Sequence, residues 1–262
     1  MWPPNWSGYG KGSSTPRDAF TPWDERSIVP DSPGVEDELI PGGKEMTVPA
    51  SGAVRGLRRV DLLCLDPMAA AVFYRAVLDW SPVPVEAGFD CWVGNRRCAT
   101  IRKPRAGESS GFRPVFAGAP MDCTLTGPDD TVAQVTRGRA QHGPWAPDPR
   151  SGEPCWVELA TTSPMRADAF WSDTLGWQVS TGQPVEYLTS GRAIANRTAE
   201  NLPAGPGWLC YVSLPDLAGI TRLATKHGGR AEHIEHPRLT ETVLLTDPDG
   251  AMIGLTTTRS WQ

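Results

Sequence analysis

Hydrophobic and polar positions along this chain follow a pattern that occurs twice. A strand-like run beginning at Val60 is followed by a turn with proline and then by a stretch with helical periodicity. The same succession begins at Val157, 97 positions later, and the match continues without a gap through Trp80 and Trp177. Residues recur at helical spacing in both copies: Phe73, Val77 and Trp80 in the first, and Phe170, Thr174 and Trp177 in the second.

Further strand signals follow each helical stretch. In each copy two short runs with strand character flank a glycine-containing turn, which is typical of a β-hairpin. The second copy continues with a strand at residues 209–214, a helix near 217–227 and two strands around the turn at 247–250. The hairpin strands are expected at residues 91–93 and 98–102 in the first copy, and at 186–188 and 193–197 in the second.

This pattern resembles the vicinal oxygen chelate superfamily, which includes glyoxalase I, extradiol dioxygenases and bleomycin-resistance proteins. The resemblance rests on AVFYRAVLDW at residues 71–80, DAFWSDTLGW at 168–177 and the closing TDPDGAMIGL at 246–255, and it covers about residues 57–260. It implies an α+β fold in which two tandem βαβββ modules form curled mixed sheets around a cup. Residues 155–159 look most similar to tandem-module actinobacterial members.

Composition divides the chain into three expected segments. Residues 1–56 are rich in Pro, Gly and Ser with interspersed aromatic residues, so we expect an extended N-terminal arm, with a floppy tail as the alternative. The arm would dock on the body of a monomer or at the interface of a homodimer. The first module is expected over residues 57–153 and the second over 154–262. The first is shorter, so we expect it to lack its final hairpin, with residues 34–56 as a candidate replacement strand.

The metal ligands of metal-dependent superfamily members have no match here. The resemblance assigns the first-strand histidine position to Arg59 and Trp156, the mid-module histidine position to Leu209, and the terminal glutamate position to Gly254. A divalent ion needs three or four converging ligands, so we predict no metal and no cofactor. Histidines match none of these positions and are expected at the surface or in loops: His142, His227, His233 and His236.

Candidate site residues follow from alternation along the strands. If Arg59 and Trp156 face the cup, then Asp61 and Glu158 do too, at equivalent positions. These two carboxylates are candidate catalytic acid and base, but structural ion pairs with neighbouring arginines are the favoured alternative. From the fifth strands we expect Tyr211, with Asp122 and Thr124. The predicted ligand contacts are Arg59, Leu63, Trp92, Arg102, Trp156, Arg197 and Tyr211.

Charge and composition exclude several classes of protein. The net charge of −5 is spread along the chain, which argues against a nucleic-acid partner. No apolar run approaches the ~20 residues that span a bilayer, and the N-terminus does not resemble a signal peptide. The six cysteines form no C-x-x-C pair and are expected to be small buried residues in a reducing compartment. We therefore predict a cytoplasmic protein, and the frequent Arg, Ala, Gly and Pro suggest an actinobacterial source.

Three functions remain open at this point. The first is a metal-independent protein that binds or sequesters a small organic metabolite, alongside secondary metabolism. The second is a metal-free isomerase, cyclase, lyase or hydratase that uses Asp61 and Glu158. The third is a structural or interaction module whose cup is filled by its own side chains or by the N-terminal arm.

Overall fold

The first half of the chain forms a curled, seven-stranded mixed sheet. The computed structural model describes residues 56–199 and 205–261, so the expected N-terminal arm, apart from Gly56, lies outside the described residues. The strand order is β2-β3-β4-β1-β5-β7-β6. Its elements are β1 (Leu57–Leu63), α1 (Pro67–Leu78), β2 (Ser81–Val85), β3 (Gly88–Val93), β4 (Arg96–Arg102), β5 (Gly111–Ala117), β6 (Cys123–Thr126), a 3-10 turn (Pro128–Asp130) and β7 (Val132–Thr136).

The second half forms a curled mixed sheet of eight strands. The order is β13-β14-β15-β12-β8-β11-β10-β9. Its elements are β8 (Pro154–Ala160), α2 (Pro164–Leu175), β9 (Gln178–Val179), β10 (Val185–Thr189), β11 (Arg192–Thr198), β12 (Gly207–Ser213), α3 (Ile220–Lys226), β13 (Arg230–Ile234), β14 (Thr242–Thr246) and β15 (Met252–Thr256). The predicted α+β architecture with curled mixed sheets is confirmed.

Local sequence explains where the two repeated helices begin and end. Both have proline at the first helical position, where its fixed φ suits the helix and its missing N–H is not needed. Asp66 caps α1 by accepting hydrogen bonds from the amides of Met68 and Ala69. Helix α2 ends at Gly176, whose φ of 68° is the left-handed conformation that glycine adopts at little cost.

The first sheet contains one complete βαβββ unit and one shortened unit, and the second sheet contains two complete units; in each sheet the two units meet at a central antiparallel strand pair. The pairs are β1 with β5 and β8 with β12, and the first and last strands of each unit are parallel. The first sheet is the less complete one, as expected, but the expectation that it lacks its final hairpin is wrong. Strands β6 and β7 form that hairpin. The described part of the unit that begins at β5 instead lacks a helix and one strand. Only residues 118–122 separate β5 from β6, and this stretch is too short for both.

The apolar faces of the two sheets share one core. Val60 and Leu62 are fully buried in this core. Phe116 of β5 makes edge contacts with Trp177 and Trp208 of the second half, at centroid distances of 5.1 and 5.6 Å. Side chains alternate along a strand, so the opposite, concave faces point away from this shared core. Any site built on the concave faces therefore belongs to one sheet or the other.

Two further expectations concern membranes and cysteines. Among the residues that the structure describes, no helix has the length and apolar character needed to cross a membrane. All six cysteines are free thiols, and five of them are buried. Burial raises the pKa of Cys91 to about 12, so this thiol stays protonated.

Candidate functional site

The concave face of the second sheet carries a group of buried polar and aromatic side chains. Asn196 donates from Nδ2 to Oε1 of Glu158 at 2.8 Å, and the Tyr211 hydroxyl donates to Oε2 at 2.9 Å. The indole N–H of Trp156 donates to Oδ1 of Asn196. Nε2 of His236 lies 3.5 Å from Oε2 of Glu158. We call these five residues the inner cluster; three strands and the loop after β13 contribute to it.

The protonation states of the inner cluster follow from its hydrogen bonds. Nδ1 of His236 accepts from the amides of Arg238 and Leu239 at 3.1 and 2.9 Å, which leaves the proton on Nε2, directed towards Glu158. Burial raises the pKa of Glu158, but interactions with His236, Asn196 and Tyr211 outweigh it and hold this pKa below its usual value. Burial and the nearby carboxylate raise the pKa of Tyr211. Glu158 is thus a buried anion that accepts hydrogen bonds from Asn196 and Tyr211.

The three positions at which the sequence resemblance expects metal ligands in the second sheet carry other residues. Trp156, fully buried, occupies the first expected ligand position, and Leu209 occupies the second. A Cβ atom at Gly254, the third position, would overlap the ring of Tyr211. The described residues contain no group of three or more His, Cys, Asp or Glu side chains arranged to hold a metal. These residues do not fit a divalent ion.

A pocket of about 330 Å³ lies above the inner cluster; we call it the outer pocket. The guanidinium of Arg238 stacks 4.3 Å from the Trp156 ring centroid and pairs with Glu186. Arg192 donates from Nη1 to the Pro144 carbonyl at 2.6 Å. The pocket combines apolar, aromatic and charged surface, and its lining includes Glu186, Leu188, Arg192, Ala193, Arg238 and Trp261.

The concave face of the first sheet is different, because its charged side chains pair with each other. Arg59 binds both carboxylate oxygens of Asp61, at 2.6 and 3.2 Å. Arg102 binds both oxygens of Glu108 at 2.6 and 2.8 Å, which lowers the pKa of Glu108 to about 2. Only a cavity of about 190 Å³ lies beside Arg59 on this face. These ion pairs leave little space for an organic ligand.

The structure does not bring the two candidate catalytic carboxylates together. Asp61 lies in the first sheet, opposite Arg113 of β5, and Glu158 lies in the second sheet, opposite Leu209 of β12. The shared apolar core separates the two faces. Leu63 and Arg102 lie on the same concave face as Asp61, and Trp92 is half-buried on β3 of that sheet. Of the predicted contacts, only Trp156 and Tyr211 lie on the concave face of the second sheet.

Arg197 lies on the helix-facing side of the second sheet rather than in its cup. Its guanidinium binds both oxygens of Asp168 on α2, at 2.8 and 3.0 Å. Asn196 pairs in register with Glu158 and occupies the concave face. The hairpins of the two halves differ by one residue, and a shift of one residue moves a side chain to the opposite face. Asn196, not Arg197, therefore lies on the concave face at this point.

Other expected positions also need correction. The fifth strand of the first sheet is β5, so Asp122 and Thr124 do not belong to it: Asp122 precedes β6 and Thr124 lies within it. His236 lies in a loop, as expected, but its side chain is buried in the inner cluster. Strand β13 ends at Ile234, and the following loop turns His236 inwards. Sequence periodicity carries no signal for such a loop.

Comparisons with known proteins support the fold. No family model matches the sequence, and no curated protein matches it. Similar solved structures include a catechol 2,3-dioxygenase (TM-score 0.56, 10% identity, covering 80% of this chain and 94% of that chain). A Mn(II)-bound glyoxalase from Novosphingobium aromaticivorans gives a TM-score of 0.56 at 14% identity, covering 79% and 84%. A variant homoprotocatechuate 2,3-dioxygenase from B. fuscum, in complex with HPCA, gives 0.54 at 13%, covering 81% and 73%.

These likenesses define the architecture of the protein. The chain is an α+β protein with two curled mixed sheets, in which one of the four strand-helix units is shortened. Its fold is that of these dioxygenase and glyoxalase structures. At identities of 10 to 14% the comparisons establish the fold alone, and the chemistry of the chain has to be argued from its own residues.

Proposed function

We propose that this protein binds a small organic molecule in the outer pocket of the second sheet, without a metal ion. The observation that carries the proposal is the pocket itself. Its volume of about 330 Å³ lies within the range of small-molecule sites, and such sites combine apolar walls with a few polar groups. The inner cluster closes the cup beneath it, so the ligand would lie against Arg238 and Trp261, which line the pocket.

Two alternatives receive different support. A reaction in which Asp61 and Glu158 act as acid and base on one substrate is disfavoured, because the two carboxylates lie on separate concave faces. A filled cup that serves only as an interaction module is supported in part, because the inner cluster fills the deep end of the second cup. The outer pocket favours ligand binding over this alternative.

The wider setting of the proposal comes from the sequence. We propose a cytoplasmic monomer or homodimer that binds an organic metabolite of secondary metabolism. Scattered charge and the arginine-rich composition support this setting.

Binding can be tested by tryptophan fluorescence and calorimetry with a panel of bicyclic aromatic compounds. We expect saturable binding that is unchanged by EDTA, because no step uses a metal. Leu188→Trp fills the pocket wall and should abolish binding. The matched control is Val85→Trp, on an exposed edge strand of the first sheet, which should bind like the native protein. Failure of every compound to bind, or binding that requires added metal, would overturn the proposal.

A further inference from the structure

Arg238 is connected to Glu158 by two separate routes. On the first route, the amide of Arg238 donates to Nδ1 of His236, whose Nε2 faces Glu158 at 3.5 Å. On the second, the Arg238 guanidinium rests on the Trp156 ring, whose indole N–H donates to Asn196. Asn196 in turn donates to Glu158. The two routes form a closed ring of contacts between a buried carboxylate and a guanidinium that lines the outer pocket.

The stacked guanidinium keeps donors available for a ligand. Stacking on Trp156 uses the face of the guanidinium plane, whereas its hydrogen bonds are made at the edge. Nη1 pairs with Glu186, but Nε and Nη2 of Arg238 have no hydrogen-bond partner among the described residues. Arg192 adds a second positive charge to the pocket wall. A planar guanidinium with free edge donors is suited to bind a carboxylate.

We propose that Arg238 binds the carboxylate of a flat organic anion, and that Glu158 is the positioning residue that holds Arg238 in place. This inference rests on the proposed function, since it names the ligand class of the same pocket. The guanidinium supplies positive charge to a cup whose residues do not fit a metal ion. Glu158 is buried two residues from Trp156 on β8 and does not line the pocket.

The charges around the pocket agree with this assignment. The lining carries two arginines and one glutamate. The charge of Glu158 is satisfied by donors from Asn196 and Tyr211, with His236 alongside. Arg238 therefore faces the pocket as a cation that is stacked on Trp156 and that has hydrogen-bond donors available at one edge of its guanidinium.

The test compares a carboxylate with its neutral amide in the full-length protein at pH 7. The probes are 2-naphthoate and 2-naphthamide, and the measured quantity is the ratio of their dissociation constants by calorimetry. We expect the native protein to prefer the carboxylate by at least about tenfold. Arg238→Met should bring the ratio close to one, and Arg238→Lys should restore part of it. Arg197→Met, on the other side of the sheet, is the control and should leave the ratio unchanged.

Glu158 is tested by the same ratio, which a purely structural role would not change. Glu158→Gln should reduce the preference several-fold. Trp156→Phe keeps the ring but removes the N–H that reaches Asn196, and it should also reduce the preference if Glu158→Gln does not fold. Equal binding of both probes to the native protein, or an unchanged ratio in folded Glu158→Gln or Trp156→Phe, would overturn the inference. Binding of neither probe nor any other compound would overturn the proposed function itself.

Discussion

The two concave faces of this molecule have the same main-chain framework but different chemistry. In the first sheet, Arg59 and Asp61 neutralise each other two residues apart on one strand. In the second, the equivalent residues Trp156 and Glu158 bind partners on other strands, through Asn196 and Tyr211. Local ion pairs close the first face, whereas cross-strand bonds bury the second and leave a pocket above them. A repeated fold therefore does not repeat a site, because the cross-strand partners decide its chemistry.

The largest expected effect comes from adding a glutamate at the third metal-ligand position of each sheet. Tyr211 pairs with Gly254 in the second sheet, as Val115 pairs with Gln134 in the first. Gly254→Glu must displace the Tyr211 ring and bury a new charge, so it should cost at least about 3 kcal/mol of unfolding free energy. Gln134→Glu is isosteric and half-buried, and it should change stability by less than about 0.5 kcal/mol.

Urea unfolding of the two variants, with and without Mn²⁺, measures this difference. Mn²⁺ should not rescue Gly254→Glu, because Trp156 and Leu209 supply no ligands. Equal stability of the two variants, or metal-dependent recovery of Gly254→Glu, would break the comparison.

A second difference concerns the buried histidine beside each sheet. His236 accepts two backbone hydrogen bonds in the second, whereas His142 lies beside the backbone of Arg97 in the first. Burial, together with the nearby charges of Arg96 and Arg58, lowers the pKa of His142 to about 4. Below pH 6.5 the unfolded chain binds a proton there that the folded chain excludes. His142 should therefore cost about 3 kcal/mol of stability between pH 6.5 and 4.

The measurement is the pH dependence of urea unfolding for the native protein and for His142→Gln, which cannot titrate. The native protein should lose stability more steeply than the variant between pH 6.5 and 4.5, above the range in which most carboxylates titrate. Parallel curves for the two proteins would mean that His142 is solvated or charged in the folded state.

A third and smaller effect is the difference in stability between variants of the two carboxylates, Glu158 and Asp61. Glu158→Gln replaces an acceptor by a group that also donates, and leaves a buried donor of Tyr211 or His236 unpaired, at a cost of about 2 kcal/mol. Asp61→Asn leaves Arg59 unpaired, but the Arg59 side chain is 17% exposed and water can reach it, so the cost should be at most about 1 kcal/mol. Denaturant midpoints of both variants at pH 7 test the order, and a larger loss for Asp61→Asn would reverse it.

Sequence periodicity predicted the repeat, the two main helices and the curled mixed sheets, because burial imposes periods of 3.6 and 2 residues on helices and strands. It also placed Asp61, Glu158, Trp156 and Tyr211 on concave faces. The alternation is local, however, and says nothing about which sheet faces which way. For this reason two carboxylates at equivalent positions were expected in one cup, although they lie on opposite sides of a shared core.

The missed site residues share a different cause. Asn196 was missed because hairpin lengths differ by one residue between the halves, and His236 and Arg238 because they lie in a loop after β13. Loop conformation depends on tertiary contacts, such as the bonds from two amides to Nδ1 of His236, which no periodic pattern encodes. Half of the residues that line the outer pocket, including Arg238 and Trp261, lie outside the strands.

The smallest expected effect tests the assignment of faces in the second sheet. Arg197 binds Asp168 on the helix side, and both side chains are partly exposed, at 15 and 19%. Partly exposed ion pairs contribute little, so Arg197→Met should lower the unfolding free energy by about 0.5 to 1 kcal/mol and leave 2-naphthoate binding unchanged. Arg238→Met, 41 positions away in sequence, should show the opposite pattern, with weakened binding of the carboxylate and nearly native stability. Calorimetry and urea unfolding of the same two preparations measure both quantities. Loss of binding in Arg197→Met would mean that Arg197 lies in the cup. It would also contradict the one-residue shift that places Asn196 on the concave face.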